Sequence, residues 1–185
     1  MADPQRKTMM TAATVEQTLA RMAGEIVEQA AGAESLVLVG IHRRGVHLAT
    51  WLAGSIQGSH PDLGIATGTL DITLYRDDLM TVGPRPVVGP TRLPTGGIDG
   101  RLVVIVDDVL YTGRTVRAAL DELADFGRPR RTLLCVLVDR GGRELPIQPD
   151  IVGEMIPAPP GGRVEVLVPE IDGNLGVVLV GGSAD

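Results

Sequence analysis

The chain has only four aromatic residues, one lysine and one cysteine, and these shortages argue against several kinds of binding site and reaction. Four aromatic side chains leave little for stacking the bases of a single-stranded nucleic acid. Cys135 forms no internal disulfide, and its position in the apolar run 133–138 indicates a core residue rather than a nucleophile. His42, His47 and His60 show no metal-ligand spacing with it. No apolar run reaches the length of a membrane span.

The net charge of −6 argues against a protein that is drawn as a whole to nucleic acid. Because Lys7 is the only lysine, the positive charge is nearly all arginine, which suits bidentate contacts with phosphate. The N-terminus lacks the apolar segment of a signal peptide, so we expect a cytoplasmic protein. The length suits a single α/β domain over 1–185, with a polar and flexible stretch at 1–13.

The most informative stretch of the chain is 103–115. Four apolar residues predict a buried strand, and Asp107 and Asp108 follow at its carboxyl end. A Thr-Gly-Arg-Thr turn at 112–115 then opens into a helical pattern over 114–126. The helix N-terminus would bind a phosphate group, and the carboxylates would accept hydrogen bonds from ribose hydroxyls. By itself, such a turn usually only connects a strand to a helix, and an acidic pair usually lies in a solvent-exposed loop. Together they predict a sugar-phosphate site, which is neither a Walker loop nor a dinucleotide fingerprint.

Strand-like and helical patterns alternate along the whole chain. The predicted helices cover 15–30 (with a capping box from Thr14), 46–56 and 114–126, and the predicted strands cover 36–39, 69–74, 103–106, 133–138, 151–152, 164–168 and 177–180. This order predicts a parallel sheet whose ligands bind at the carboxyl ends of its strands. The segment 75–100, with four prolines and five glycines, predicts a functional loop.

The order of strand, acidic pair, hydroxyl-rich turn and helix resembles the signature with which type I phosphoribosyltransferases bind 5-phosphoribosyl-1-pyrophosphate (PRPP). Three longer segments, 71–79, 103–117 and 138–146, resemble one branch of them, the bacterial pyrimidine-operon attenuation regulators. The resemblance implies an α/β fold with a central, mostly parallel sheet flanked by helices, a small hood and a flexible loop.

The same resemblance implies two activities. Members of the family convert uracil and PRPP to UMP and pyrophosphate. With UMP or UTP bound, they bind pyrimidine-operon leader mRNA and control attenuation. Two alternatives remain open from the residues: a nucleotide-sensing RNA-binding regulator with little catalysis, and a phosphoribosyltransferase for another base with no RNA role. The resemblance also implies a homodimer or higher homo-oligomer.

The resemblance assigns roles to individual residues. The catalytic residues would be Asp107 and Asp108 at the ribose and Arg76, which would close over the departing pyrophosphate. Mg²⁺ would bridge PRPP and pyrophosphate oxygens rather than occupy a protein cage. A cis non-proline peptide bond is expected within 41–45. The substrate-binding residues would be Arg43, Arg44, Tyr111, Thr112, Gly113, Arg114, Thr115, Asp139, Arg140 and Val164. The alternative without a functional role is that Arg76 is an exposed charge on a hairpin and that Arg140 forms a structural salt bridge.

The chain departs from the family where the RNA face is expected. Four positions that are commonly His, His, Arg and Lys in relatives are here Gly24, Gly142, Gln148 and Glu154. Arg43 stands where threonine is common. The remaining candidates for RNA contacts are Arg21, Arg128, Arg130, Arg131 and Arg143. We therefore expect RNA binding to be weaker than in relatives, since each phosphate contact contributes affinity.

Overall fold

The computed structural model describes residues 6–75 and 90–182. Within these ranges the main sheet has five parallel strands, namely β2 (Ser35–Ile41), β3 (Gly64–Leu70), β4 (Leu102–Leu110), β5 (Arg131–Asp139) and β6 (Ile151–Met155). Their spatial order is β3-β2-β4-β5-β6. The fold class predicted from the sequence is confirmed. None of the helices in these ranges is long and apolar enough to cross a membrane.

Helices cover both faces of the sheet. Helices α1 (Ala12–Gln29) and α2 (Arg44–Ser59) pack on one face, and α3 (Arg114–Phe126) packs on the other. Successive residues of a strand point to opposite faces, so Leu36 and Leu38 join the core under α1 and α2, while Val37 joins the core under α3. This explains why the central strands are continuous apolar runs rather than alternating ones.

A second, smaller sheet forms a hood. It pairs β1 (Arg6–Met10), β8 (Gly176–Val180) and β7 (Arg163–Leu167) in the antiparallel order β1-β8-β7, and the short helix α4 (Pro169–Asp172) joins β7 to β8. The prediction of a flexible stretch at 1–13 is therefore wrong from residue 6 onward. The backbone of β1 is hydrogen-bonded to β8, and Met10 is buried.

Several element boundaries also differ from the predictions, and those at the start of α1 and the end of β3 have a local cause. Helix α1 begins after Thr11 rather than at Thr14, because the Thr14 N–H donates to the Thr11 hydroxyl at 3.3 Å. The strand predicted at 69–74 ends at Leu70. There the Asp71 carboxylate accepts a hydrogen bond from the Thr73 N–H at 2.9 Å and the chain turns into a 3-10 helix over Ile72–Tyr75.

Candidate active site

The two adjacent carboxylates lie near the carboxyl end of β4. Asp107 is buried, and the Asp108 N–H donates to its Oδ1 atom at 2.9 Å. Burial, and then the neighbouring Asp108 charge, hold the pKa of Asp107 well above its usual range. Asp108 is half-buried and accepts the Val109 N–H at 2.9 Å. The pair is therefore a concentrated acceptor whose charged form would be stabilised by ligand hydroxyls or a cation.

The turn at 112–115 leads into the N-terminus of α3. Gly113 adopts φ +92° directly before the helix, which a side chain would disfavour. The Thr112 carbonyl accepts hydrogen bonds from the N–H groups of Glu144 and Leu145 at 3.0 and 3.1 Å, which fixes the turn to the segment after β5. The first N–H groups of a helix have no acceptor within the helix, so this turn presents donors suited to a phosphate. The Arg114 side chain, by contrast, is ion-paired with Glu144 at 2.7 Å.

The loop at 41–45 is pressed against β4. The predicted cis non-proline bond is confirmed, and it joins His42 to Arg43. A Cβ atom added to Gly45 would lie 2.5 Å from the Val106 carbonyl oxygen. The absence of a side chain at this position therefore lets the loop lie directly beside the strand end that carries the acidic pair.

The two arginines of this loop have different surroundings. Arg43 is exposed. The Arg44 Nε and Nη2 atoms donate to the two carboxylate oxygens of Asp172 in α4 at 3.1 and 2.8 Å. These hydrogen bonds hold the pKa of Asp172 below its usual range. The Arg44 guanidinium therefore links the loop to the hood, and its expected contact with pyrophosphate stays a prediction.

The segment after β5 stacks on the phosphate turn. The Arg140 guanidinium lies 3.9 Å from the centre of the Tyr111 ring, and its Nη2 atom donates to the Gly162 carbonyl in the hood at 3.1 Å. Arg140 thus makes a cation–π contact, and no carboxylate in the part of the chain that the structure describes pairs with it. Gly142, at φ +79°, lies so close that an added Cβ would be 2.4 Å from the Tyr111 ring. A histidine at 142 would displace that ring.

Asp139 is oriented by Arg143. Burial raises the pKa of the Asp139 carboxyl, but hydrogen bonds from Arg143 and from the Gly141 N–H outweigh it and lower the pKa. The Arg143 guanidinium also donates to the carbonyls of Tyr111 and Ile147, each at 2.9 Å. The Arg143 guanidinium is thus hydrogen-bonded within the protein, and its expected contact with RNA stays a prediction.

A cavity of about 480 Å³ lies between the acidic pair and the hood. Of the predicted site residues it brings together Arg44, Asp108 and Val164. The residues of 111–115 and 139–140 lie at neighbouring strand ends but outside this lining. Arg76 lies outside the described residues. The sequence interpretation missed four polar residues that line the cavity, namely Arg6, Glu165, Asp172 and Asn174.

The other candidate RNA contacts divide into two groups. The Arg21 Nη2 atom donates to the carbonyls of Gly153 and Val152 at 2.5 and 3.2 Å, and Arg131 donates to the Gln29 side chain at 3.0 Å. The exposed residues Arg128 and Arg130 lie at the opposite edge of the sheet from the acidic pair. The side chains of Arg21 and Arg131 are therefore hydrogen-bonded within the protein.

Comparison with known proteins agrees with this geometry. The model of the phosphoribosyl transferase domain matches residues 8–157. Bifunctional protein PyrR of Herpetosiphon aurantiacus is 54% identical over 90% of this chain and 92% of its own length. Bifunctional protein PyrR of Mycobacterium tuberculosis is 49% identical over 94% of this chain and 92% of its own length.

Solved structures agree on the fold. Hypoxanthine phosphoribosyltransferase from Trypanosoma cruzi superposes with a TM-score of 0.73 at 19% identity, covering 97% of each chain. The enzyme from Staphylococcus aureus gives 0.65 at 20% identity, covering 93% of this chain and 90% of that one. At such identities the likeness shows the fold alone. By domain model and sequence relatives together, the chain belongs to the phosphoribosyltransferase family and, within it, to the bifunctional PyrR proteins.

Proposed function

We propose that this protein converts uracil and PRPP to UMP and pyrophosphate, and that it binds pyrimidine-operon leader mRNA in response to UMP or UTP. The observation that carries the enzyme half is the meeting of three elements at one sheet edge. These are the Asp107–Asp108 pair, the N-terminus of α3 and the loop at 41–45. The relatives named bifunctional PyrR support the choice of uracil and the regulatory half.

The reaction joins N1 of uracil to C1 of the ribose while the bond between C1 and the pyrophosphate oxygen breaks and the N1 proton is released. The turn at 112–115 would hold the 5-phosphate through helix N–H groups and hydroxyls. Asp107 and Asp108 would accept hydrogen bonds from the ribose hydroxyls and stabilise positive charge developing at C1. Arg43 is exposed at the loop beside them, where it would contact pyrophosphate.

Base binding would fall to the segment after β5. The carboxylate of Asp139 is fixed by Arg143, and Arg140 is held between Tyr111 and the hood. Val164 in β7 supplies an apolar wall to the cavity. A rigid base site of this kind would select by shape and by hydrogen bonds to the base edge, because unpaired polar groups would penalise a wrong base.

The donor set fits Mg²⁺. Asp107 and Asp108 offer hard carboxylate oxygens, and Asp107 makes no ion pair with a residue in 6–75 or 90–182. When bound, Mg²⁺ would neutralise charge on the pyrophosphate oxygens. Among those same residues, no group of three or more histidine, cysteine or acidic side chains could hold a metal ion. The carboxylates would therefore act on the ion together with oxygens of the substrate.

The test of the enzyme half is PRPP-dependent formation of labelled UMP from uracil, with and without Mg²⁺. Hypoxanthine and orotate serve as alternative bases, because the similar solved structures are hypoxanthine enzymes. Turnover of either base without turnover of uracil would overturn the base assignment and leave the family unaffected.

The role of the acidic pair is tested by D107N and D108N. Each should lower kcat/KM by about 10²- to 10³-fold, since a lost charge-stabilising contact costs about 2 to 4 kcal/mol at comparable sites. D121N, on the exposed side of α3, is the matched control and should retain full activity. Equal activity of D107N, D108N and the wild type would show that the pair has no such role.

The regulatory half is tested by gel shift with the organism's own pyrimidine leader RNA, with and without UMP. We expect binding that UMP strengthens, and weaker than nanomolar at physiological salt, because cations are missing at Gly24, Gly142, Gln148 and Glu154. Nanomolar affinity would contradict the weight given to these four positions. The expected homodimer or higher homo-oligomer stays a prediction for analytical ultracentrifugation.

A further inference from the structure

A polar cluster lies where β3 ends, on the face of the sheet that α3 covers. The Thr91 side chain is at its centre, because its hydroxyl donates to the Glu122 carboxylate in α3 and accepts the Asp71 N–H at 2.9 Å. Asp71 and Glu122 are both buried, and Glu122 is only 3% exposed. Polar groups at this depth are costly unless they are hydrogen-bonded, so we expect these hydrogen bonds to hold the cluster in one geometry.

The peptide group between Leu70 and Asp71 takes part in two hydrogen bonds at once. Its N–H is the group that donates to Thr91, and its carbonyl accepts the His42 N–H at 2.9 Å. His42 is the first residue after β2 and lies in the loop at 41–45. Because the peptide group is rigid and planar, moving its N–H also moves its carbonyl. These two bonds and the bond from Thr91 to Glu122 therefore form one chain from the loop to α3.

The residue types in this chain suit their places. A threonine hydroxyl both accepts and donates, so Thr91 can join the Asp71 N–H to the Glu122 Oε1 atom. The Glu122 Oε2 atom is buried and has no hydrogen-bond partner in the part of the chain that the structure describes. Burial raises the pKa of the Glu122 carboxyl above its usual range, although the Thr91 hydrogen bond opposes this. The use of this carboxyl within the protein is therefore as the acceptor for Thr91.

The segment 90–92 has other attachments to β3. The backbones of Thr69 and Arg92 exchange hydrogen bonds at 2.8 and 2.9 Å, and the Thr69 hydroxyl donates to the Pro90 carbonyl at 3.1 Å. These bonds hold the segment beside β3 whichever side chain stands at position 91. What the Thr91 hydroxyl adds is the connection to α3 and, through the peptide group after Leu70, to the loop at 41–45.

We propose that Thr91 and Glu122 are positioning residues, which fix the peptide group between Leu70 and Asp71 so that the loop at 41–45 keeps the place from which it binds the pyrophosphate of PRPP. This inference rests on the enzyme half of the proposed function and deepens it. Helix α3 begins at the phosphate turn, so the hydrogen-bond chain also fixes the distance between the elements proposed for the two ends of PRPP. Binding groups that are held in place before the substrate arrives bind it more tightly, because less freedom is lost on binding.

The first experiment compares T91V, T91S and the wild type in steady-state UMP synthesis and in the reverse reaction. Valine keeps the shape of threonine and removes the hydroxyl, whereas serine retains it. T91V should raise KM for PRPP and for pyrophosphate about three- to tenfold, the factor that one internal hydrogen bond contributes, with kcat little changed. KM for uracil in T91V, and every constant in T91S, should stay within about twofold of the wild type.

T69V is the matched control. It removes a hydroxyl that binds the same segment, through the Pro90 carbonyl, and leaves the chain from the loop to α3 intact. Its kinetic constants should stay within about twofold of the wild type, because uniform binding of PRPP is not altered.

The second experiment changes the other end of the chain. E122Q keeps an oxygen that can accept from Thr91, and E122L has a similar volume without an acceptor. E122Q should therefore resemble the wild type, and E122L should raise KM for PRPP as T91V does. The double variant T91V/E122L should be no more than about twofold worse than either single variant, because both changes break one chain and their effects are not additive.

A purely structural role would give other results. Urea denaturation of each variant measures the loss of stability separately from the kinetics. The inference is overturned if KM for uracil rises as much as KM for PRPP, if T91S or E122Q is as impaired as T91V or E122L, or if stability falls while KM for PRPP is unchanged. If T91V does not fold, the comparison of E122L with E122Q decides.

Calorimetric titration of PRPP with Mg²⁺ separates this inference from the proposed function, because it needs neither uracil nor turnover. If the wild type binds PRPP but makes no UMP, the base assignment fails, and the affinities of T91V and T91S for PRPP still judge the inference. If T91V binds PRPP as tightly as the wild type, the inference is wrong and the enzyme half stands. If the wild type does not bind PRPP at all, both fail.

Discussion

Gly45 should be essential for activity because of where it lies. An alanine Cβ at this position would lie 2.5 Å from the Val106 carbonyl oxygen and 3.3 Å from the Asp107 Cα atom, both of which are backbone. Neither can move without disturbing the centre of the sheet, so α2 must retreat by roughly 1 Å to restore ordinary van der Waals separation. The loop at 41–45 would retreat with it, away from Asp107 and Asp108.

The expected size of the effect follows from that displacement. A shift of about 1 Å in a binding group costs about 10²-fold in rate, so G45A should lower kcat/KM for PRPP by that order. Overpacking should lower the free energy of unfolding by about 1 to 3 kcal/mol. The assays are steady-state UMP synthesis and urea denaturation of the same preparations.

G54A provides the matched control on the same helix. An added Cβ at Gly54 meets nothing within 4 Å, so this variant should keep full activity and gain up to about 1 kcal/mol of stability from helix propensity. Both substitutions change helix propensity, and only G45A changes the approach of α2 to β4. Activity of G45A within about threefold of the wild type, or an equal loss in G54A, would refute the reasoning.

Three further predictions concern single side chains. D172N should lower the free energy of unfolding by about 1 to 2 kcal/mol at pH 7, because the Arg44 ion pair holds the pKa of Asp172 below its usual range. That stabilisation is present above the pKa of Asp172 in the unfolded chain and is lost as the pH falls through its pKa in the folded protein. The difference in unfolding free energy between wild type and D172N, measured by urea denaturation, should therefore shrink below about pH 4. A difference that persists at pH 2 would count against the ion pair as its cause. Burial raises the pKa of the Cys135 thiol to about 12, so a thiol reagent at pH 8 should label it only after denaturation, and rapid labelling of the native protein would contradict its place in the core. R143A should release Asp139 and raise KM for uracil more than KM for PRPP in steady-state kinetics, whereas equal effects on both would indicate a general loss of structure.

The elements most faithfully predicted from the sequence are those specified by neighbouring residues. Helix α3 has the predicted bounds at both ends, where Gly113 and Gly127 take positive φ values. The apolar runs at 103–106 and 133–138 are the centres of β4 and β5. In these cases the spacing of the apolar residues and the glycines that end the element are all found within one short segment of sequence.

The prediction of the N-terminal segment failed for the opposite reason. Nothing within residues 6–10 indicates a strand, because the partner that satisfies its backbone is β8, more than 160 positions away. The strand expected at 69–74 fails for a local reason instead, since it ends at Leu70, where the Asp71 carboxylate accepts the Thr73 N–H and begins a turn. The local sequence pattern sets the propensity of a segment to form a strand, and pairing with distant segments decides whether the strand forms.

The sequence by itself determined which residues meet at the carboxyl edge of the sheet. The acidic pair and the turn at 112–115 are adjacent along the chain, and the parallel order of the strands brings the other loops to the same edge. Only the tertiary structure decided which arginines are available to a ligand. Arg44 meets Asp172 across 128 positions. Arg101 and Arg130 lie beside each other through strand register, and their guanidinium groups have no partner among residues 6–75 and 90–182. The physical reason is that arginine has the same charge everywhere, so its role depends on which acceptors the fold brings within hydrogen-bond distance.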